Sequence, residues 1–292
     1  MPLSPIDDII GPAYAGVSGV GAFNVVQIEH AEAIVAGAES AGLPVVLQIS
    51  ENTVKYHGAL APIGLASIAV AGMAQVPVAV HLDHAESADL VRRAVEIGFT
   101  SVMFDASKLP YGENVAATRE ITDYCHRANV RVEAELGEVG GKDGAHAPGA
   151  RTDPDEAAAF VEATAVDSLA VAVGSSHAML TRDAVLDFEL IARLRAAVGV
   201  PLVLHGSSGV SDAGLAEAVE AGMTKVNVST HLNKSFTRTV REYLGAHPDI
   251  VDPRRYLGPA RAAVTEEVAR LLRLLASAPV QVPLGSRSSS ST

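Results

Sequence analysis

Apolar residues along this chain fall into two alternating rhythms. Short runs rich in Val, Ile, Leu and Ala recur at 21–26 (GAFNVV), 44–49 (PVVLQI), 77–83 (PVAVHLD), 101–105 (SVMFD), 130–136 (VRVEAEL), 168–173 (SLAVAV), 201–205 (PLVLH) and 225–228 (KVNV). Their near-continuous apolarity is that of strands buried on both faces. Between them lie stretches such as IEHAEAIVAGAESAG, SADLVRRAVEIG, PDEAAAFVEATA and DAGLAEAVEAG, whose apolar residues recur at spacings of three and four, with Gly near several ends. These read as amphipathic helices. About eight strands alternating with helices predict an α/β fold, a (β/α)8 TIM barrel folding as one domain. Pro44, Pro77 and Pro201 open three of the strands, a position a sheet tolerates.

The barrel and a C-terminal helical extension should occupy residues 1–280, with the Gly/Ser-rich segment 281–292 a disordered tail. No second domain is visible. The longest irregular insert, GEVGGKDGAHAPGARTDPDE, follows the fifth strand and is a candidate active-site flap. Beyond about residue 248 the chain reads as a turn region and then an amphipathic helix.

Composition narrows the function classes. The formal net charge is −12 and Lys and Arg are scattered, which argues against a nucleic-acid or anionic-membrane partner. A phosphorylated substrate would need positive potential built locally. The one cysteine, Cys125, falls in a helical stretch; it excludes an internal disulfide, suits a reducing cytoplasm and reads as packing. There is no signal-like opening and no uninterrupted apolar stretch of about 18 residues, so a soluble cytoplasmic protein is expected. Trp is absent, which makes the core aliphatic.

Three histidines stand where strand-like runs three, six and seven end: His84, His177 and His205. The carboxyl ends of parallel barrel strands converge, and converging neutral imidazoles suit a zinc ion. Three protein ligands leave a coordination position open, so the ion would be catalytic, a Lewis acid polarising a carbonyl or stabilising an enediolate. Asp83 is placed either for proton transfer or for orienting an imidazole. By the two-residue period His81 shares its facing, toward the barrel mouth. Asp105 and Glu135 end strands four and five, either as ligands of an alternative metal position or as rim carboxylates.

After His205 comes GSSG, and the eighth run continues NVST, so Gly206, Ser207, Ser208, Asn227, Ser229 and Thr230 fit a phosphate site of the kind barrels build from their last two loops. A Schiff-base lysine is less well supported: Lys225 starts its strand, at the wrong end of the barrel, and Lys142 lies in the flap.

Taken together, HLDHA, AELGEVGG, LAVAVGSSH, PLVLHGSSGV and KVNVST resemble the class II, zinc-dependent ketose-bisphosphate aldolases, which include fructose- and tagatose-bisphosphate aldolases. The resemblance runs through DPRRYLGPAR near the C-terminus. It implies reversible cleavage of a ketose 1,6-bisphosphate into dihydroxyacetone phosphate and glyceraldehyde 3-phosphate. It also implies Zn2+, with a monovalent cation (Na+ or K+) as a further candidate, and a homodimer or homotetramer. Asp83 matches the proton-transfer aspartate; His84, His177 and His205 the zinc ligands; Asp105 and Glu135 carboxylates of a second or displaced metal position. Asn24 and Ser50 match pocket residues, Gly206 to Ser208 and Asn227 to Thr230, with Val228 among them, the dihydroxyacetone-phosphate contacts, and Arg254 an arginine that grips the far phosphate across a subunit boundary.

Two positions depart from the family pattern. Ala178 replaces a Gly beside a phosphate contact, and Asp143 stands where a flap Glu exchanges the C1 proton of dihydroxyacetone phosphate. Substrates left open are fructose, tagatose or a deoxy-keto-acid phosphate. The rival functions are a metal-dependent hydrolase, which would show His-x-His at strand one, and a non-catalytic partner paralogue, which would have lost one of these residues.

Overall fold

In the computed structural model, which describes residues 3–136, 151–176 and 181–276, the eight apolar runs are strands. They are β1 (Val20–Asn24), β2 (Val45–Ser50), β3 (Val78–Ala85), β4 (Ser101–Phe104), β5 (Arg131–Leu136), β6 (Ser168–Val171), β7 (Leu202–Leu204) and β8 (Met223–Val228). Every neighbouring pair is parallel and β1 closes onto β8, giving a barrel in simple sequence order. The (β/α)8 expectation is met. Strands β2, β3 and β7 begin directly after Pro44, Pro77 and Pro201, where a missing N–H does least harm to the ladder.

The outer layer contains α2 (Ile28–Ala41), α3 (Glu51–His57), α4 (Leu60–Met73), α5 (Ala88–Ile97), α6 (Tyr111–Arg127), α7 (Pro154–Thr164), α8 (Phe188–Ala197), α9 (Asp212–Ala221), α10 (Thr230–Ala246) and α11 (Arg254–Ala276). Several start on side-chain caps supplied by the preceding loop: Ser87 for α5, Asp153 with Pro154 for α7, Asp187 for α8 and Ser211 for α9. Cys125 is buried in α6, a packing residue as expected. Among the described residues no single helix is long and apolar enough to cross a membrane.

A further helix, α1 (Asp7–Gly16), precedes the barrel. Ile9, Ile10 and Ala13, with Ile6 just ahead of the helix, join Val20, Ala22, Val46 and Ala79 in one buried cluster, so α1 covers the amino-terminal end of the barrel.

Side chains alternate along each strand, and the two faces differ in chemistry. Phe23, Leu47, Ile49, Val80, Leu82, Val102, Leu169 and Leu204 turn outward into the continuous aliphatic core beneath the helices. The inward positions carry a small apolar cluster, Met103, Ala170 and Val203, and a run of buried polar groups: Asn24, Gln48, His81, Asp83, Glu133, Glu135, Lys225 and Asn227. Buried polar groups are costly unless paired, so their concentration inside the barrel marks where chemistry is to be sought.

Candidate active site

Asp83 and His84 are consecutive near the end of β3, and strict alternation would send one inward and the other toward the helices. The backbone prevents that. The β3–β4 register shifts between Leu82 and Ala85, and His84 adopts a left-handed φ of 50°. A bulge with one residue in a sparsely populated conformation re-aims its side chain, and such strain persists where surrounding structure fixes it. Both residues therefore reach the site, and both are buried.

Ligand-type atoms of Asp83, His84 and His205 lie within 4.8 Å of one another, and those of His84, Asp105 and Glu135 form a second, overlapping group of the same compactness. The His84 and His205 rings meet edge to face at 4.6 Å between centroids. His84 Nδ1 is 2.8 Å from Asp105 Oδ2. A carboxylate only accepts, so Nδ1 carries the proton and Nε2 is left as the lone-pair atom of this imidazole. Asp105 is itself held by Ser107, whose N–H and hydroxyl donate to Oδ1 at 3.2 and 2.6 Å. Imidazole nitrogens beside carboxylate oxygens, all buried, are a donor set that fits a zinc-type divalent ion.

Asp83 is held in place by amides. Asn24 Nδ2 donates to its Oδ2 at 3.2 Å and Asn227 Nδ2 to its Oδ1 at 3.5 Å, while Gln48 Nε2 donates to Asn24 Oδ1 at 2.8 Å. Burial pushes the Asp83 carboxyl up, but its electrostatic interactions with the His84 and His205 imidazoles and the Lys225 ammonium outweigh burial and hold it below the usual carboxylate range. The group is thus a carboxylate ready to accept a proton. The His205 pKa is lowered as well, here by burial itself, which prevails over the opposing hydrogen bond to Glu133 and favours the neutral ring that a metal ligand requires.

The two glycine- and serine-bearing loops lie side by side at the same end. Ser207 hydroxyl donates to the Asn227 carbonyl, and Ser208 Oγ accepts from the His231 N–H at 3.2 Å. Gly206 has φ 66° and passes so close to the Ser176 backbone that a Cβ there would stand 2.6 Å from it. The loops after β6, β7 and β8 are thereby stitched together, and α10 begins at Thr230 with its N-terminal amides facing this junction.

Several expectations change. His81 does share the interior with Asp83, but it lies below the mouth, with Nδ1 2.7 Å from Ser101 Oγ and burial lowering its pKa to about 3. Lys225 is the third residue of β8 and lies inside the barrel, 1% exposed, in the half toward the amino-terminal end, where it lines a cavity with Ile6 and Ile10. The Val228 side chain joins the outer aliphatic core, so only its backbone can face a ligand. Ser50 caps α3, accepting from the Thr53 N–H at 3.2 Å, and the hydroxyls of Ser207 and Ser208 are likewise engaged in tying loops. Arg254 is an exposed residue whose side chain is 88% accessible and hydrogen-bonds Asp252. Asp143, His177 and Ala178 lie outside the described residues, as does the tail 281–292.

Three residues of the site were missed from sequence: Gln48, Glu133 and Lys225. Their signal was positional. Each stands two residues before or after an inward-facing site residue on its own strand, Ser50, Glu135 and Asn227, and so faces inward too.

Comparison with known proteins agrees with this geometry. The family model described as fructose-bisphosphate aldolase class-II matches residues 4–279. The crystal structure of the YdjI aldolase from Escherichia coli K12 is 33% identical, covers 94% of this chain and 98% of its own, and superposes with a TM-score of 0.84. A candidate fructose-1,6-bisphosphate aldolase from Coccidioides immitis is 28% identical over 93% of this chain and 96% of its own, with the same TM-score of 0.84. The fructose-bisphosphate aldolase of Campylobacter jejuni, at 22% identity over 92% of this chain and 93% of its own, shares the fold with a TM-score of 0.77.

Proposed function

The chain belongs to the fructose-bisphosphate aldolase class-II family, and from that premise we propose that it cleaves, reversibly, a ketose 1,6-bisphosphate of the fructose or tagatose type. The products are dihydroxyacetone phosphate and glyceraldehyde 3-phosphate. The observation that carries the reading is the placing of the Asp83 carboxylate within the same 4.8 Å group as His84 and His205.

His84 and His205, with His177 as the third ligand implied by the family pattern, would hold a zinc ion. When bound, it supplies Lewis acidity at the substrate carbonyl, where the electron pair of the breaking carbon–carbon bond is taken up. Asp83, fixed by Asn24 and Asn227, removes the proton of the C4 hydroxyl as the C3–C4 bond breaks. In condensation the same group returns that proton to the aldehyde oxygen. In cleavage C3 must also gain a proton, and in condensation lose one, through a second group, the role that the family pattern gives to Asp143. The backbone amides of the loops at 206–208 and 227–230, with the start of α10, would bind the phosphate of the dihydroxyacetone half, since the serine hydroxyls there are engaged in joining the loops. Arg254, projecting from the surface, would act on the far phosphate of a neighbouring protomer in a dimer or tetramer.

The test is a cleavage assay with purified protein over a panel of ketose bisphosphates and phosphorylated keto-sugar acids, reporting dihydroxyacetone phosphate release. Chelation should abolish cleavage and Zn2+ restore it, and Asp83→Ala should retain metal while losing about 10²-fold or more in turnover. Undiminished activity in protein verified metal-free would overturn the metal reading. Silence across the whole panel would favour a non-catalytic partner.

A further inference from the structure

One layer below Asp83 and Asn227 the barrel interior holds a second charged group that the mechanism above does not use. Lys225 Nζ donates to Glu133 Oε2 at 2.8 Å, and Glu133 Oε1 stands 3.1 Å from His205 Nε2. The exposures of Lys225, Glu133 and His205 are 1%, 2% and 0%. Nearby, His81 Nε2 lies 4.0 Å from Glu133 Oε2.

We propose that Glu133 and Lys225 act as a positioning pair for the metal ligand His205. An ionised carboxylate offers no proton, so the bond to Glu133 requires His205 to carry its hydrogen on Nε2. That makes Nδ1 the lone-pair atom, and Nδ1 is the nitrogen on the side of the site, 3.6 Å from Glu135 Oε2. His84 is oriented in the opposite sense, through a carboxylate on its Nδ1. The two imidazoles thus present different nitrogens to one point, each fixed by its own acid.

Lys225 supplies what Asp105 finds elsewhere. Asp105 is held by two Ser107 groups, whereas Glu133 lies deep in the barrel and takes its second partner from the Lys225 ammonium. The pair is neutral as a unit, so Glu133 keeps its charge as an acceptor without adding a further net anion beneath Asp83, Asp105 and Glu135. Stability does not account for it: a buried ion pair is commonly no more stable than apolar residues of the same volume, and Met103, Ala170 and Val203 show that apolar side chains fill this interior.

The inference rests on the metal-dependent reading above. Its test compares the wild-type protein with Glu133→Gln, Lys225→Met and the combined variant by zinc affinity in chelator competition, by the visible spectrum of the Co2+-substituted protein and by thermal melting. Removing both charges together should restore the melting temperature lost in the single variants. Zinc affinity should stay about 10–100-fold below wild type, the usual scale for losing a partner of a ligand histidine, and the Co2+ spectrum should shift. A combined variant that melts like wild type and binds zinc with wild-type affinity would reduce the pair to a structural filler. Nitrogen-15 NMR of histidine-labelled wild-type protein gives a second reading that needs no variant. His205 should be protonated at Nε2, and protonation at Nδ1 overturns the proposal. If wild-type protein binds no metal while Nε2 is protonated, the metal reading fails and the hydrogen bond stands.

Discussion

His30 shows how one residue couples this protein's stability to pH. It lies on α2, 4% exposed, with its ring 4.9 Å from Phe236, and neither ring nitrogen has a hydrogen-bond partner among the described residues. Burial lowers its pKa to about 4 from 6.5. Above pH 6.5 the ring is neutral in both folded and unfolded chains. Between 6.5 and 4 only the unfolded chain takes up the proton, so the stability conferred by the neutral buried ring is lost as pH falls through that window, by up to about 3 kcal/mol. His30→Phe, which keeps a ring beside Phe236 and removes the titration, should flatten the fall in urea midpoint between pH 6.5 and 4. An unchanged slope would place the acid sensitivity elsewhere, in His81 and His205, whose pKa values burial also lowers from 6.5.

Among the elements, the bulge in β3 and the turn after β7 have the greatest effect on the site. Without the shift between Leu82 and Ala85, His84 would face the helices, and no arrangement of side chains could bring it beside His205. The turn at Gly206 has the complementary task of letting the β7 loop pass against the Ser176 backbone. Gly206→Ala puts a methyl 2.6 Å from that backbone at a positive φ, so it should destabilise the fold by about 1–3 kcal/mol. Because this turn joins the loops proposed to hold phosphate, the variant should also raise KM for a phosphorylated substrate more than it lowers kcat. Urea denaturation and steady-state kinetics read the two effects. A variant of normal stability and normal KM would remove the close approach from the account.

At the scale of the whole molecule, the barrel separates stability from chemistry by its two ends. α1 seals the amino-terminal end with Ile9, Ile10 and Ala13, assisted by Ile6, while Asp83, His84 and His205 occupy the other. Ile9→Ala should therefore cost about 2–4 kcal/mol, the range for truncating a buried aliphatic side chain, and leave kcat and metal content of the folded protein unchanged. A loss of kcat in fully folded Ile9→Ala would show that the plug is coupled to the site.

The sequence by itself determined the barrel and the rim on which the candidate site gathers. Eight apolar runs alternating with amphipathic stretches admit few other folds, because parallel strands need both faces covered and the helices supply the cover. Position at a strand's end then brought Asp83, His84, Asp105, Glu135 and His205 together on paper, since parallel strands place all their carboxyl ends on one rim. What the tertiary structure alone decided was orientation and depth. A period of two says that Glu133, Lys225 and His81 face inward, but not that they meet below the site, because the stagger of eight strands sets which inward residues share a layer. Nor does it say that a left-handed residue turns His84 inward, or that the hydroxyls of Ser207 and Ser208 tie neighbouring loops together. Those outcomes depend on which donor and acceptor stand nearest in three dimensions, and such pairings across 20 to 144 residues of chain exist only once the barrel has closed.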